Sequence, residues 1–404
     1  MKTLSFLLML FLVPVLSFSF PALAASESDR SQAWPGQWLC PFRLANKYGL
    51  VNAEARIVAP PVFDQLYDFS PNGLAAVAVD GKYGFINEKG EIVIAVKFDY
   101  AGPFAANGLA RVQVDSKWGF INTQGEIAIG PKFEFVGDFG LNGLAAFRRK
   151  SMFDKFGYID HNGEIVIKPS FNFANKFNDD GLARVEIKGK KSYINSNGEV
   201  AIKTEMAEIR DFAPNGLAAV KSGKASAFRR PVWGFINRRG EIVIEAKYAV
   251  VSDFAANGLA MVSTGANEPC AFINASGETV IKSEFGCAGG FNSHGLAWFS
   301  RGGLFGLMNE AGQIVMPADT YYHVLPFAPN GLAMVNPLLI EEGRSDGRMI
   351  AANNNENWRL IDTAGQVRLR EDKLCGNPVL RNGQGDIVWP EKSQEEICSN
   401  SKQQ

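Results

Sequence analysis

Short apolar runs alternate with turn signals along most of the chain, and they do so in a fixed order. Leu74-Ala75-Ala76-Val77-Ala78-Val79 is followed by Tyr83-Gly84-Phe85-Ile86-Asn87. Two variable residues and a Gly come next, and then Glu91-Ile92-Val93-Ile94-Ala95-Val96-Lys97-Phe98. Runs of this length, rich in β-branched and aromatic residues and bounded by Gly, Asn and Asp, predict strands. Asn-x-x-Gly between two of them predicts a hairpin: the Asn bonds its own turn backbone, and the Gly takes the positive φ of a short loop. The aliphatic run ends near Lys-Phe, as in Lys97-Phe98 and Lys132-Phe133. A loop containing Asp and a later Phe leads to Asn-Gly-Leu-Ala, which opens the next strand. One unit is therefore expected to hold three short antiparallel strands. Within Glu91 to Phe98, Ile92, Ile94, Val96 and Phe98 fall on one face, and Val93 and Ala95 on the other. That pattern predicts a sheet covered on both faces, stacked between neighbours.

The unit recurs. Asn-Gly-Leu-Ala or a close variant starts at Asn72, Asn107, Asn142, Asp180, Asn215, Asn257, His294 and Asn330, with spacings of 35, 35, 38, 35, 42, 37 and 36 residues. The aromatic-Gly phrase starts at Tyr48, Tyr83, Trp118, Phe156, Trp233 and Phe305, with degenerate copies at Lys191, Cys270 and Trp358. A period of this size marks a repeat architecture in which each unit buries its core only against its neighbours. The chain is expected to be all-β, with tandem three-stranded antiparallel units forming an open superhelical solenoid. The alternative is a closed β-propeller of about eight blades. No N-terminal strand that would complete the last unit is legible. The Gly after each aromatic has two readings, a flat seat for a neighbouring ring or a β-bulge.

These three phrases together resemble WG-containing repeats, over roughly residues 48 to 370, although only Trp118 and Trp233 supply a literal Trp-Gly before Phe-Ile-Asn. The resemblance implies a β-repeat body with an interaction role, in a family that is largely bacterial and often secreted or membrane-associated. It carries no catalytic residues to transfer.

Outside the array, Lys2, the apolar run Leu4 to Phe20 and Ala22-Leu23-Ala24 read as a signal peptide over residues 1–24, cleaved near Ala24. The mature chain is then expected in the periplasm or secreted, with no transmembrane span. Residues 25–47 and 371–404 are expected to cap the repeat array, 48–370. Two insertions break the period and are expected to form interaction loops. One carries Lys224, Arg229 and Arg230, and the other Arg344, Asp346 and Arg348. In an oxidising compartment the five cysteines leave an odd one. Cys375 with Cys398 is the first pairing to expect, because it would close the loop-rich C-terminus. Cys270 would face about Lys282 across its hairpin. Cys287 would then lie roughly 16 Å further along a strand unless the chain folds back.

The formal net charge of −1 provides no basic field for nucleic acid. The three histidines, His161, His294 and His323, sit at variable positions and read as loop residues. The Glu that opens each aliphatic arm (Glu91, Glu126, Glu164, Glu199, Glu241, Glu278) recurs too regularly for acid–base work, which needs two differentiated carboxyls. No metal-site, nucleophile-elbow or phosphate-loop motif occurs. The expected function is that of an exported, non-enzymatic scaffold without cofactor or metal, binding protein partners in the bacterial cell envelope. The alternative is a glycan- or peptidoglycan-binding module that uses exposed aromatic residues.

Overall fold

The computed structural model describes residues 39–149, 154–223, 232–265, 268–340, 349–351 and 358–399. They form successive small antiparallel sheets, none closed into a barrel. A three-stranded sheet (Cys40–Leu44, Lys47–Val51, Ile57–Phe63) is followed by six four-stranded sheets and then a ten-stranded one. The last is two repeat sheets, the eighth and ninth, fused through one strand. Ile314–Val324 pairs through Tyr321 with Phe305 on one side and Pro337 on the other. A hairpin, Asn377–Asn382 with Ile387–Trp389, extends its far edge.

The fourth strand of the four-stranded sheets lies where a loop is expected from sequence. In the third sheet it is Tyr100–Phe104, paired with Ala110–Val114. It runs Tyr-Ala-Gly-Pro-Phe, so its composition reads as a turn. Its pairing is interrupted between Ala101 and Phe104. The units are thus four-stranded rather than three-stranded, with this strand innermost and the aliphatic arm outermost.

Two inter-sheet joints recur. A Phe at the end of each inner strand or a few residues beyond it packs on the third-strand ring of the preceding sheet. Centroid distances are 4.8 Å for Phe85–Phe104, 4.7 Å for Phe120–Phe139, 4.9 Å for Phe235–Phe254 and 4.5 Å for Phe272–Phe291. Each hairpin Gly also seats on an outer strand of the preceding sheet. Gly125, at φ 80°, has no room for a Cβ because Ile94 Cγ2 would lie 2.8 Å away.

Burial on both faces holds for the two middle strands and fails for the outer one. Ala75–Ala78 and Tyr83–Ile86 are buried throughout. On the outer strand Ile94 and Phe98 are buried, whereas Ile92 and Val93 are 53% and 48% exposed. The outer strand is an edge, and its first residues project beyond the neighbouring sheet. The hairpin signals have the expected chemistry. Asn87 Oδ1 accepts from the Lys89 and Glu91 amides, and its Nδ2 donates to Glu91. This fixes the recurring Glu as part of the turn. Asn237 likewise holds the Glu241 carboxyl below the usual range, with help from Arg239, and Asn274 and Ser276 do the same for Glu278.

The motif Gly follows a sharp rule. Gly49, Gly84, Gly119, Gly157, Gly234 and Gly306 each lie at a register jump between the third and outer strands. Where Ser192, Ala271 or Arg359 stands instead, the pairing continues without that jump. The two readings of this Gly meet in one geometry. The bulged outer strand crowds it in all six, and at Gly49, Gly157 and Gly306 the ring of the paired Phe42, Phe147 or Phe299 also lies over it.

The first and last sheets share one core. Cys40, Phe42, Leu44 and Val51 pack with Leu332, Trp358, Leu360, Leu369 and Leu380, and the Phe42 and Trp358 rings stand 6.0 Å apart. The sheets keep open edges, but their succession returns on itself through side-chain packing. Of the two arrangements derived from sequence, this contact is the one a propeller-like ring requires. Beyond it, Cys375 and Cys398 form a disulfide with Cα atoms 5.2 Å apart. It ties down the helix Gln394–Ser399, whose start is capped reciprocally by Ser393 and Glu396. Cys270 is also disulfide-bonded, and the chain does fold back beside it: its amide donates to the Phe285 carbonyl. Cys40 is a free, buried thiol, and burial, with Asp68 nearby, pushes its pKa up to about 12.

Candidate functional site

The repeat places equivalent residues in one row across every sheet, because directly paired residues project to the same side. In the third sheet the row is Tyr100, Gln113 and Trp118. It is Phe135 and Arg148 in the fourth, Phe173, Glu186 and Lys191 in the fifth, and Glu208, Lys221 and Trp233 in the sixth. These rows form two groups of rings, one across the second and third sheets and one across the fourth and fifth. Tyr83 and Tyr100 are 5.0 Å apart, Tyr100 and Trp118 5.3 Å, and Phe135 and Phe156 5.5 Å. Phe156 and Phe173 then bridge the fourth and fifth sheets at 6.2 Å.

Cations cover the rings. Arg111 lies 5.4 Å from Trp118, Arg148 5.1 Å from Phe156 and Lys191 5.9 Å from Phe173. Arg210 and Lys221 lie 4.4 and 5.3 Å from Trp233. Three arginines also clamp the inner strand of the next sheet. Arg111 binds Asp138 at 2.8 Å and the Val136 carbonyl at 3.3 Å. Arg184 binds both oxygens of Asp211, at 2.7 and 3.0 Å, and the Ile209 carbonyl at 2.9 Å. Arg210 reaches Asp253 and the Val251 carbonyl at 3.3 and 3.2 Å. Of the three only Arg184 makes a two-pronged fork on its carboxylate, a geometry that suits arginine and fixes its orientation.

Between the fifth and sixth sheets the row opens into a cleft of about 280 Å³, lined by Phe173, Arg184, Lys191, Glu208, Arg210 and Trp233 among others. Phe173 is 47% exposed there. The motif aromatics are mainly core rings: Tyr83, Phe156, Trp233 and Trp358 are buried, and Tyr48, Trp118 and Phe305 half-buried. The exposed ring is thus an inner-strand residue that the motif does not include.

The expected interaction-loop residues Lys224, Arg229, Arg230, Arg344, Asp346 and Arg348 lie outside the described residues, as does the expected signal peptide. The first loop leaves and rejoins the sixth sheet at Ser222 and Val232, beside Trp233, where each amide bonds the other residue. His294 is structural, with Nε2 donating to the Ala328 carbonyl at 3.1 Å. Among the described residues no three His, Cys, Asp or Glu side chains gather as a metal ion would need. No helix among them is long and apolar enough to cross a membrane.

The arginine clamps went unread in the sequence, yet they left a signal. Arg111 and Arg184 each follow Gly-Leu-Ala, and each meets an Asp-Phe that starts 27 residues later, at Asp138 and Asp211.

No curated protein matches the chain in sequence. Among solved structures, one titled as the crystal structure of the eukaryotic initiation factor superposes with a TM-score of 0.57 at 12% identity, covering 82% of this chain and 95% of that one. The Saccharomyces cerevisiae Sqt1 structure gives 0.39 at 10% identity, with 81% and 95% covered. Virginiamycin B lyase from Staphylococcus aureus gives 0.34 at 14%, with 68% and 97% covered. The first of these supports the fold, a propeller-like succession of sheets, and nothing about activity. The WG containing repeat model matches seven times, over residues 48–83, 83–118, 118–151, 156–190, 192–224, 233–267 and 271–305. With its hairpins, bulges and inter-sheet joints repeated over those same segments, the chain belongs to the WG-containing repeat family.

Proposed function

We propose that this protein is an exported, non-enzymatic scaffold that binds a protein partner in the bacterial cell envelope. The observation that carries the reading is the row of exposed aliphatic side chains at the start of the outer strands: Ile92 and Val93, Ile127, Ile165 and Val166, Val200, Ile242 and Val243, Val280, and Ile314 and Val315. Scattered exposed aliphatics are ordinary on a monomer. Here they recur at the start of the outer strand in seven consecutive sheets, and in six of these that strand is the edge of its sheet. A partner that presents an apolar strand or face would find both backbone groups and side chains to pair with. Export rests on the reading of residues 1–24, and the absence of enzymatic activity on the lack of any catalytic motif in the sequence.

The test is in-cell cross-linking of the tagged full-length chain, with soluble and envelope fractions read separately. An Ile242→Lys/Val243→Lys variant that keeps its melting temperature should lose the wild-type partner. Retention of that partner, or recovery of the chain solely from the cytoplasm, would overturn the proposal. A second reading, a glycan-binding module, is favoured by one observation: the exposed Phe173 ring at the mouth of a polar cleft.

A further inference from the structure

We infer that the cleft between the fifth and sixth sheets is a subsite for an uncharged sugar ring. The inference rests on the glycan-binding reading and narrows it to one site and one ligand class.

The charge arrangement selects the ligand. Every cation at the cleft already has a carboxylate: Arg184 has Asp211, Arg210 has Asp253, Lys191 has Glu186 and Lys221 has Glu208. Of these carboxylates only Glu208 itself lines the cleft, but the four pairs cancel in charge, so neither an incoming anion nor an incoming cation finds an unpaired counter-charge among them. A purely apolar side chain would strip water from these ion pairs and return no hydrogen bond. A sugar ring avoids all three penalties. Its C–H face packs on an aromatic ring. Its hydroxyls both donate and accept, which suits a lining that offers the Glu208 carboxylate beside the guanidinium and ammonium donors of Arg184, Arg210 and Lys191.

The geometry supplies each part. Phe173 offers a half-open ring, since 47% of it meets solvent. Trp233 also lines the cleft, and its ring is already engaged by Arg210 and Lys221 at 4.4 and 5.3 Å. Arg184 is fixed by its two bonds to Asp211 and a third to the Ile209 carbonyl, so its orientation costs little entropy when a ligand arrives. A volume of about 280 Å³ lies at the small end of ligand sites, which are commonly about 300–1,000 Å³. It fits a single ring of a longer chain, with the rest running out along the open side.

The experiment is calorimetric titration of the purified chain with cellotriose, chitotriose and maltotriose, and with trigalacturonate as the charged comparison. At least one neutral trisaccharide should bind, with affinity little changed between about 0.1 and 0.5 M salt. Phe173→Ala, at a half-open position, should keep its melting temperature and weaken binding by about tenfold or more. Silence with all three neutral sugars would overturn the inference and the glycan reading together. Undiminished binding by Phe173→Ala would overturn the cleft assignment and leave the glycan reading standing. Preference for trigalacturonate, with steep salt dependence, would overturn the uncharged assignment.

Discussion

Replacing Gly119 by alanine tests the bulge rule directly. A Cβ at Gly119 would lie 2.4 Å from the Ile129 carbonyl oxygen and 2.8 Å from Pro131 N. Both atoms belong to the backbone of the outer strand, at the register jump between Trp118↔Phe133 and Phe120↔Ile129. No side-chain rotation relieves the contact, so the strand itself must move. Moving it disturbs Ile129 and Phe133, whose side chains are buried in the core shared with the fourth sheet. Overpacking of this kind costs about 1–3 kcal/mol, and disturbing two buried side chains adds to it. Against this stands the gain of about 0.4–1 kcal/mol from stiffening the unfolded chain. The net expectation is a loss of about 1–3 kcal/mol.

Gly130, on the same outer strand, supplies the control. A Cβ there meets nothing within 4 Å, and its φ is not positive. Gly130→Ala should therefore be neutral or stabilise by up to about 1 kcal/mol. Thermal and urea melts of the two variants against wild type decide the matter. A Gly119→Ala protein as stable as Gly130→Ala would refute the steric account, since the two share the unfolded-state gain and differ only in what the methyl group meets.

Acid should weaken the body. Lysine partners hold Asp64, Asp99 and Glu205 below the usual carboxylate range. Groups with depressed folded pKa values stabilise above their unfolded values, and that stability is lost as pH falls through the folded ones. Melting temperature should thus be flat above about pH 5 and drop below about pH 4, less steeply in Lys47→Ala/Lys82→Ala; equal slopes would count against these pairs. Cys40, buried between the first and last sheets, should resist alkylation in the native protein and react at the rate of global unfolding. Rapid native labelling would mean that the closure between those sheets opens locally. Cys375→Ser with Cys398→Ser removes a link across 23 residues and should cost about 3 kcal/mol of local stability. Hydrogen exchange would read this as loss of protection in the helix Gln394–Ser399, and unchanged protection would show that the buried Ile397 and the Asn377 bond to its carbonyl hold it without the disulfide.

Much of the unit was legible because turn chemistry is local. Asn87, Gly90 and Glu91 state their hairpin within five residues, and Asn72, Gly73 and Leu74 state theirs within three. The inner strand was not legible, since Tyr-Ala-Gly-Pro-Phe and Glu-Ile-Arg-Asp-Phe are strands by tertiary pairing rather than by propensity. The exposure of Ile92 and Val93 was also hidden. Alternation shows which residues share a face, but not whether a neighbouring sheet extends far enough to cover them. The cleft was hidden for a third reason. Phe173, Arg184, Lys191 and Trp233 converge only once the register and stacking of two sheets are known.

Closure illustrates the same limit on a larger scale. Strand sharing between the ends would have left a sequence trace, an N-terminal strand completing the last unit. Here Phe42, Leu44, Trp358, Leu360 and Leu380 close the succession by packing alone. In an open array each end lacks one interface, so the terminal units fray first. Packing the ends together supplies that interface without a shared strand, and it leaves the repeats free to diverge. They have diverged on one arc. The row position that carries Tyr100, Phe135 and Phe173 becomes Glu208 in the sixth sheet, Val250 in the seventh and Gly286 in the eighth. A ring at that row position is therefore confined to the third, fourth and fifth sheets, although ring–cation pairs also occur in the first sheet, at Arg43 and Tyr48, and in the eighth, at Arg301 and Phe285. Selection for packing alone would have kept the row uniform around the molecule. Its one-sidedness separates the residues that make the body from those available to bind.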